Sequence, residues 1–180
     1  MSNANITKRI MADAVKRQMA ERPLSKISVG DIVEECGLNR NSFYYHFKDK
    51  YDLVNWIFYT DFVAKVDRSE LNSYWKLIER MCCFLYEDKA FYINALSETG
   101  QNSFTEYFSG FIETAVRARI DHTFEDEEFK KFYASFFIDA FISCISRWLR
   151  EGAEISPEKL VEFMKKATVE TEVQKLWDIE

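Results

Sequence analysis

Apolar residues recur every three or four positions along most of this 180-residue chain, a period that predicts amphipathic α-helices rather than strands. In the first segment, Ile6, Ile10, Ala14 and Met19 share roughly one face, and Pro23 is expected to end the helix soon afterwards. The chain contains only five glycines and two prolines, so few positions interrupt the pattern. We therefore expect an all-α protein of about nine helices.

Two short helices joined by a tight turn are predicted between residues 28 and 47. Ser28 is a favoured N-cap residue, and Asp31 three positions later completes the pattern of a capping box. Gly37 follows the last turn of this helix, where glycine readily adopts a left-handed backbone, and Asn39 is placed to cap the next helix. Two helices in this relation form a helix-turn-helix, a unit that many DNA-binding proteins insert into the major groove.

Five consecutive side chains with rings, FYYHF, stand in the second of these helices. Phe43 and Phe47 are four positions apart, so they share the face that turns toward the preceding helices. Tyr44 and Tyr45 must then point outward, beside Arg40. A tyrosine hydroxyl bonds a phosphate oxygen, and its ring contacts a thymine methyl group. The outward face favours DNA as its partner; the alternative is that these rings are ordinary half-buried residues.

The distribution of charge favours the same partner. The whole chain has a net charge of −6, whereas residues 1–50 contain nine basic and six acidic side chains and so carry +3. The other 130 residues carry −9, which argues against phosphate as their partner. A chance fluctuation is the alternative explanation of so small an excess. We expect a DNA-binding domain over residues 1–50 and a larger helical body over residues 51–180.

The stretch ISVGDIVEECGLNRNSFYYHFKDKYDL resembles the DNA-binding signature of the TetR family of transcriptional regulators. The resemblance covers about residues 6–55 and implies a three-helix head, followed by a long fourth helix that starts at Lys50. It implies that Ser28 caps the second helix and contacts a phosphate. It also implies base-reading side chains at Arg40 and Asn41, assisted by Asn39 and Tyr45, and backbone-contacting side chains at Ser42, Tyr44, His46 and Lys50.

Gly30 departs from the pattern of some members of that family, which place a base-reading side chain at this position of the second helix. With a glycine here, the second helix offers no side chain to the bases at that point. Base readout is therefore expected to rely mainly on Arg40. Tyr45 is expected to reach either the floor of the groove or a phosphate.

The body resembles one branch of the same family, the regulators of dihydroxyacetone kinase operons, in the stretches FKDKYDLVNWIFY and FYINALSETGQNSF. The resemblance implies an effector-binding and dimerisation domain with a pocket among its middle helices. The alternative is that the aromatic residues there form plain core and that the polar pair beside Gly100 caps the next helix. The effector, a small molecule or a protein, is not identified. The expected pocket residues are Trp75, Tyr92, Gln101, Asn102 and Tyr107.

A two-fold dimer is expected because one helix-turn-helix reads only half of a typical operator, whose half-sites lie about one helical turn apart. Residues 126–151 carry the longest apolar stripe of the chain, which is wide enough to pack both inward and against a second copy. Residues 157–177, capped by Ser156, are expected to complete a four-helix interface by analogy with the family. The alternative is that both helices are buried within one subunit.

Catalysis receives little support from the sequence. The chain has two histidines, His46 in the head and His122, and no Ser/Cys–His–Asp set or metal-ligand cluster surrounds His122. There is no glycine-rich phosphate loop. We expect no catalytic residues, no metal and no cofactor.

The sequence also gives no sign of a membrane protein. No stretch of 18 uncharged apolar residues and no signal-peptide core is present, and the four cysteines are expected to be reduced thiols. We therefore predict a bacterial, cytoplasmic regulator that binds a palindromic operator as a dimer, in the manner of a repressor, and is switched by an effector. The alternative is a transcriptional activator that depends on a partner protein, as the dihydroxyacetone kinase branch implies.

Overall fold

The computed structural model describes residues 3–66, 74–98, 100–120 and 124–168, and within these ranges the secondary structure is entirely helical. This confirms the expected all-α fold. In the described part of the chain, two short 3-10 turns, Leu24–Lys26 and Val63–Lys65, accompany nine α-helices. The helices are α1 Asn3–Glu21, α2 Val29–Glu35, α3 Arg40–His46, α4 Lys50–Asp61, α5 Tyr74–Glu87, α6 Lys89–Ser97, α7 Phe104–Ile120, α8 Glu127–Arg150 and α9 Pro157–Ala167.

Helices α1 to α3 pack together as a head. Helix α1 ends two residues before Pro23, as predicted, but its buried face differs from the expected one. Met11 and Val15 are fully buried, whereas Ile6 and Ile10 are 47% and 44% exposed. The apolar residues of α1 are spread over a wide arc, and contact with α2, α3 and α4 selects which part of that arc is covered.

The turn between α2 and α3 follows the predicted chemistry. The Ser28 hydroxyl oxygen accepts the Asp31 backbone N–H at 3.1 Å, and the Asp31 carboxylate accepts the Ser28 N–H at 2.7 Å, which closes the capping box. Gly37 has a φ of +64°. Its conformation lets the Leu38 N–H donate to the Val33 carbonyl at 2.8 Å, the bond that ends the helix in a Schellman motif.

Helix α4 links the head to the body and starts at Lys50, as the family resemblance implies. It is shorter than the long fourth helix that we expected, because α-helical geometry stops at Asp61 and a 3-10 turn follows. Phe58 lies near the end of this helix and is fully buried. Its ring contacts seven other aromatic rings of the body with centroids 5.4 to 6.3 Å apart. Phe62 is stacked on it at 22°, and the other six rings meet it at interplanar angles of 60° or more, so the core of the body is built largely from rings.

Helix α8 is the longest, and its apolar stripe is divided between two faces. One face packs against α6 and α7 and is buried; its apolar members include Ile138, Phe141 and Ile145. The other face leaves Phe132 and Phe136 exposed by 65% and 59%. Helix α8 is the one helix among the described residues that is long and apolar enough to cross a membrane. A single such helix is weak evidence for a membrane span, because a helix that contributes to a protein core has the same length and composition.

Helix α9 starts at Pro157, with Ser156 as its N-cap, and packs against α5. It ends at Ala167, so the part of the predicted segment 157–177 beyond residue 168 lies outside the described residues. Phe163 is 47% exposed on this helix.

Candidate nucleic-acid interface and body cavity

The rings of α3 divide as the sequence predicts. Phe43 and Phe47 are 0% and 3% exposed, and their rings lie 5.7 Å apart in the core of the head. Tyr44 and Tyr45 are 57% and 82% exposed. Helical spacing therefore sends two rings inward to hold α3 and presents two tyrosines to the surroundings.

The start of α3 is fixed by Asn39, which caps the helix with its side-chain oxygen. This oxygen accepts the Ser42 backbone N–H at 2.9 Å and the Ser42 hydroxyl at 3.2 Å. Arg40 and Asn41, the first two residues of the helix, are exposed. The cap thus sets the direction of the helix end from which Arg40 and Asn41 project.

His46 closes α3 and lies beside Tyr45, with ring centroids 4.9 Å apart and nearly perpendicular. Partial burial lowers the pKa of the His46 imidazole, and the nearby positive charge of Lys8 lowers it further. The ring is therefore mostly neutral at pH 7, and one of its nitrogens is available as a hydrogen-bond donor.

Arg40 and Gly30 form a contact between α3 and α2 that the sequence did not reveal. The side chain of Arg40 extends across the start of α2, so that a Cβ atom at Gly30 would lie 3.0 Å from the Arg40 Nη2 atom and 3.2 Å from the Ser28 Oγ atom. Contacts this short require the neighbouring atoms to give by a few tenths of an ångström. Gly30 therefore provides the space in which the guanidinium of Arg40 lies.

We expect Gly30→Ala to change the DNA sequence preference of the protein while leaving the head folded. Alanine favours a helix by about 0.5–1 kcal/mol over glycine, so stability should not fall, but the new methyl group displaces the Arg40 guanidinium. Affinity for the duplex preferred by the wild type should drop roughly 5- to 10-fold, within the range of one altered base contact. Competition binding with duplexes that differ at single positions measures the change.

Gly110→Ala is the matched control, because Gly110 also lies inside a helix and a Cβ atom there meets no atom within 4 Å. It should alter neither affinity nor preference. An unchanged base preference in Gly30→Ala would show that Gly30 does not position Arg40.

The prediction that Lys50 contacts the DNA backbone stays a prediction, and in the structure the Lys50 ammonium group has three carbonyl partners within the head. The Nζ atom lies 2.7 Å from the Leu24 carbonyl oxygen, 2.8 Å from that of Ile27 and 3.3 Å from that of Ser25. An ammonium has three N–H donors, and three carbonyl acceptors are within range. Lys50 therefore ties the start of α4 to the segment that precedes α2. Partial burial also lowers the pKa of the Lys50 ammonium.

The five residues expected to line one effector pocket are not brought together. Tyr92 is fully buried in the aromatic core, with its ring 5.5 Å from those of Phe84 and Phe104. Tyr107 contacts Phe58 in the same core. Ring character alone does not distinguish a core position from a cavity wall.

The polar pair near Gly100 lies at a separate, open part of the surface. Gln101 and Asn102 are both exposed, and Asn102 has a left-handed backbone with a φ of +64°. The Asn102 N–H donates to the Glu106 carboxylate at 2.6 Å, and its carbonyl accepts the Asn55 side-chain amide at 3.3 Å. This pair therefore shapes the entry into α7 and does not face the aromatic residues expected beside it.

Trp75 does line a cavity, which lies where α5, α7 and α8 meet. Its volume is about 340 Å³, in the size range of small-molecule sites, roughly 300–1,000 Å³. The cavity residues that the sequence did not single out include Tyr74, Tyr133 and Phe141, which arrive from two different helices. Only the packing of these helices brings them together.

The comparisons with known proteins agree with this architecture. Residues 12–57 match the family described as "Bacterial regulatory proteins, tetR family", and residues 73–169 match the family described as "Transcriptional regulator C-terminal region". The second match alone covers more than half of the chain. The chain belongs to the TetR family of transcriptional regulators. It shares that family's organisation of a helix-turn-helix head and a helical C-terminal region.

Among TetR-family proteins, the chain is 31% identical over 93 residues to the "HTH-type dhaKLM operon transcriptional activator DhaS" of Lactococcus lactis subsp. lactis strain IL1403. The match spans about half the length of each protein, 51% of this chain and 50% of the relative. This agrees with the predicted resemblance to the dihydroxyacetone kinase branch.

Two solved structures show the same fold over nearly the whole chain. The "Dihydroxyacetone kinase operon activator DhaS" superimposes with a TM-score of 0.65 at 23% identity, covering 90% of this chain and 93% of that one. NalD, a secondary repressor of the MexAB-OprM multidrug efflux pump in Pseudomonas aeruginosa, gives a TM-score of 0.66 at 16% identity, covering 93% and 99%. The TetR fold is thus shared by proteins described as activators and as repressors.

Proposed function

We propose that this TetR-family regulator binds a palindromic operator as a homodimer through residues 1–50, in the cytoplasm and without a membrane partner. Arg40 and Asn41 read base edges, with Asn39 and Tyr45 assisting. The observation that carries the proposal is the arrangement of α3, which buries its phenylalanines and exposes Tyr44 and Tyr45 beside the helix N-terminus. The remaining proposed contacts are to the DNA backbone, from Ser28, Ser42, Tyr44 and His46.

The proposed dimer forms through the exposed faces of α8 and α9. Phe132 and Phe136 are stacked with ring centroids 6.2 Å apart and are mostly exposed. Exposed aromatic side chains that adjoin each other mark interaction surfaces more often than isolated ones do. A two-fold axis beside α8 would let the same face serve both copies.

The first test is selection of bound duplexes from a random DNA library with the purified protein. A palindrome with half-sites about one helical turn apart is expected. The control is Tyr44→Ala/Tyr45→Ala, which changes two exposed side chains and so preserves the core of the head. Equal enrichment of sequences by wild type and control would contradict the proposed interface.

We expect Arg40→Ala and Tyr44→Phe to affect operator binding in different ways. Arg40→Ala should change the preferred base at one position of each half-site, and discrimination there should fall by about 1–3 kcal/mol. Tyr44→Phe removes only a hydroxyl and should weaken binding to all duplexes by a similar factor. Repeating the selection with each variant measures preference, and fluorescence anisotropy measures affinity. If Arg40→Ala selected the same operator as the wild type, this result would contradict the proposal that Arg40 reads a base.

A second candidate function is activation of transcription, favoured by the 31% identity with a relative whose name describes an activator. It includes the possibility that a partner protein is the effector. Transcription in vitro from a promoter carrying the selected operator distinguishes activation from repression. A rise in transcript with purified regulator alone supports an activator, a fall supports a repressor, and a rise that requires an added cell fraction supports partner dependence.

A further inference from the structure

The basic side chains of the head differ in whether a carboxylate already neutralises their charge. Four of the nine, Arg9, Lys16, Arg17 and Arg22, lie 2.6 to 3.4 Å from a carboxylate oxygen, and Lys50 is bound to backbone carbonyls. A cation that already has a carboxylate partner must give it up to bind a phosphate, so an unpaired cation gains more from DNA. The basic residues of the head that form no ion pair with a described residue are Lys8, Lys26, Arg40 and Lys48.

Lys8, on α1, is held in place by aromatic rings. Its Nζ atom lies 5.3 Å from the ring centroid of Phe47 and 5.6 Å from that of Trp56. Rings attract a cation without carrying a net charge, so they fix the ammonium and leave its charge available. The neighbouring Arg9 lies 5.1 Å from the same Trp56 ring, but its guanidinium also contacts the Asp61 carboxylate at 2.6 Å. Of these two adjacent cations, Lys8 is the one that can attract a phosphate.

Lys8 also adjoins the outward face of α3. The rings of Tyr45 and His46 lie 4.9 Å apart, and those of His46 and Phe47 lie 6.4 Å apart. The Lys8 ammonium stands over the Phe47 ring, and its charge acts on the His46 imidazole. The Lys8 side chain is half-buried, so part of it stays open to the surroundings. The surface that carries Tyr45 and His46 therefore continues onto α1.

We propose that Lys8 binds a phosphate of the DNA backbone, beside the phosphate contacted by His46, and that α1 is thus a DNA-contacting element in addition to the helix-turn-helix. This inference rests on the proposed function and extends it to a residue that precedes residues 12–57, the part of the chain that matches the family. A phosphate contact positions a protein on the duplex without reading its sequence. Lys8 therefore contributes affinity and leaves base preference unchanged.

The first test compares the salt dependence of operator binding by the wild type and by Lys8→Gln. Each phosphate contact adds about 0.9 to the slope of log affinity against log salt concentration, so two copies in a dimer add about 1.8. Lys8→Gln should lower the slope by that amount, and its affinity at about 0.1 M salt should fall roughly 10- to 60-fold. Fluorescence anisotropy with the selected duplex measures both quantities, and repeating the selection should return the same operator.

Two variants separate a direct contact from a general effect of charge. Arg17→Gln removes one positive charge from the same helix, but the Arg17 guanidinium is 62% exposed and already contacts the Glu35 carboxylate at 2.6 Å. Its slope should stay close to the wild-type value. Lys8→Arg keeps the charge and should keep the slope as well. Thermal unfolding checks that each variant is folded.

The second test locates the phosphate. Replacing the phosphates of the selected duplex one at a time by uncharged methylphosphonates removes one contact from each modified duplex. At one position in each half-site the wild type should lose affinity, whereas Lys8→Gln should lose none, because its partner for that phosphate is already absent. At the other contacted phosphates both proteins should lose affinity by the same factor.

The proposal is overturned if Lys8→Gln keeps the wild-type slope, if Arg17→Gln lowers the slope as much, or if no methylphosphonate position distinguishes Lys8→Gln from the wild type. Each of these results leaves the proposed function intact, because the wild type still selects its operator. A wild-type protein that selects no duplex contradicts the proposed function and the role of Lys8 together.

Discussion

Replacing Phe132 and Phe136 together by glutamate is expected to convert the protein from a dimer into a monomer and to lower operator affinity by more than about 100-fold. Each buried phenylalanine contributes about 1.5–3 kcal/mol, and a two-fold interface contains each residue twice. Both side chains are mostly exposed in the single chain, so the change should not damage the core of the body. A monomer contacts one half-site and loses the contribution of the other.

Light scattering coupled to size-exclusion chromatography measures the mass, and fluorescence anisotropy with the selected duplex measures affinity. Tyr59→Glu is the control, because it places the same charge at another exposed aromatic residue, on α4. It should remain dimeric with unchanged affinity. A Phe132→Glu/Phe136→Glu protein that stays dimeric and folded would show that this face of α8 is not the dimer interface.

The architecture of the head could be predicted because its determinants act over a few residues. The Ser28 capping box and the Asn39 cap each join positions three apart. The division between Phe43 and the outward Tyr44 follows from helical geometry in the same way. Such interactions depend on local backbone conformation alone, so the sequence contains all the information that they require.

The partners of Lys50 could not be predicted because they lie at least 23 positions away in the sequence. The contact of Arg40 with Gly30 and the walls of the cavity likewise join residues of different helices, so they depend on how those helices pack. The buried face of α1 shows a related effect, since Ile6 and Ile10 are as apolar as the residues that are covered. Tertiary packing chooses among apolar residues that sequence pattern treats alike.

Asn94 makes the contact between head and body whose loss should be most destabilising. This asparagine lies on α6, and its side-chain amide nitrogen donates to the carbonyls of Met19 and Arg22 at 2.9 and 2.8 Å. Its oxygen accepts the Leu24 N–H at 2.8 Å. The last carbonyls of a helix lack hydrogen-bond partners within that helix. The side chain of Asn94, in the body, provides a donor for one of these carbonyls at the end of α1.

The segment that follows α1 is therefore held from two sides. Leu24 is fully buried; its N–H is bound by Asn94 and its carbonyl by Lys50. The Ser25 N–H also donates to the Glu98 carboxylate, on the residue that follows α6, at 3.0 Å. This segment leads directly into α2, so we expect a shift of α6 to move the helix-turn-helix through the backbone.

Asn94→Ala is expected to lower the free energy of unfolding by about 2–4 kcal/mol, because three hydrogen bonds are lost and partly buried backbone groups are left without partners. For a chain of this length the melting temperature should fall by roughly 4–16 °C. Chemical and thermal unfolding measure both quantities. Operator affinity should fall as well, since the segment before α2 loses the contact that fixes it to the body.

Asn55→Ala is the matched control, because among the described residues the Asn55 side-chain amide makes a single hydrogen bond, of 3.3 Å to the Asn102 carbonyl. Its loss should lower stability by less than about 1 kcal/mol. Equal losses in the two variants would show that the Asn94 contacts contribute no more than a single weak hydrogen bond. If Asn94→Ala lost stability while operator affinity stayed at the wild-type value, α6 would support the head without setting its position on DNA. Loss of both, with Asn55→Ala close to wild type, would identify Asn94 as the residue through which the body positions the helix-turn-helix.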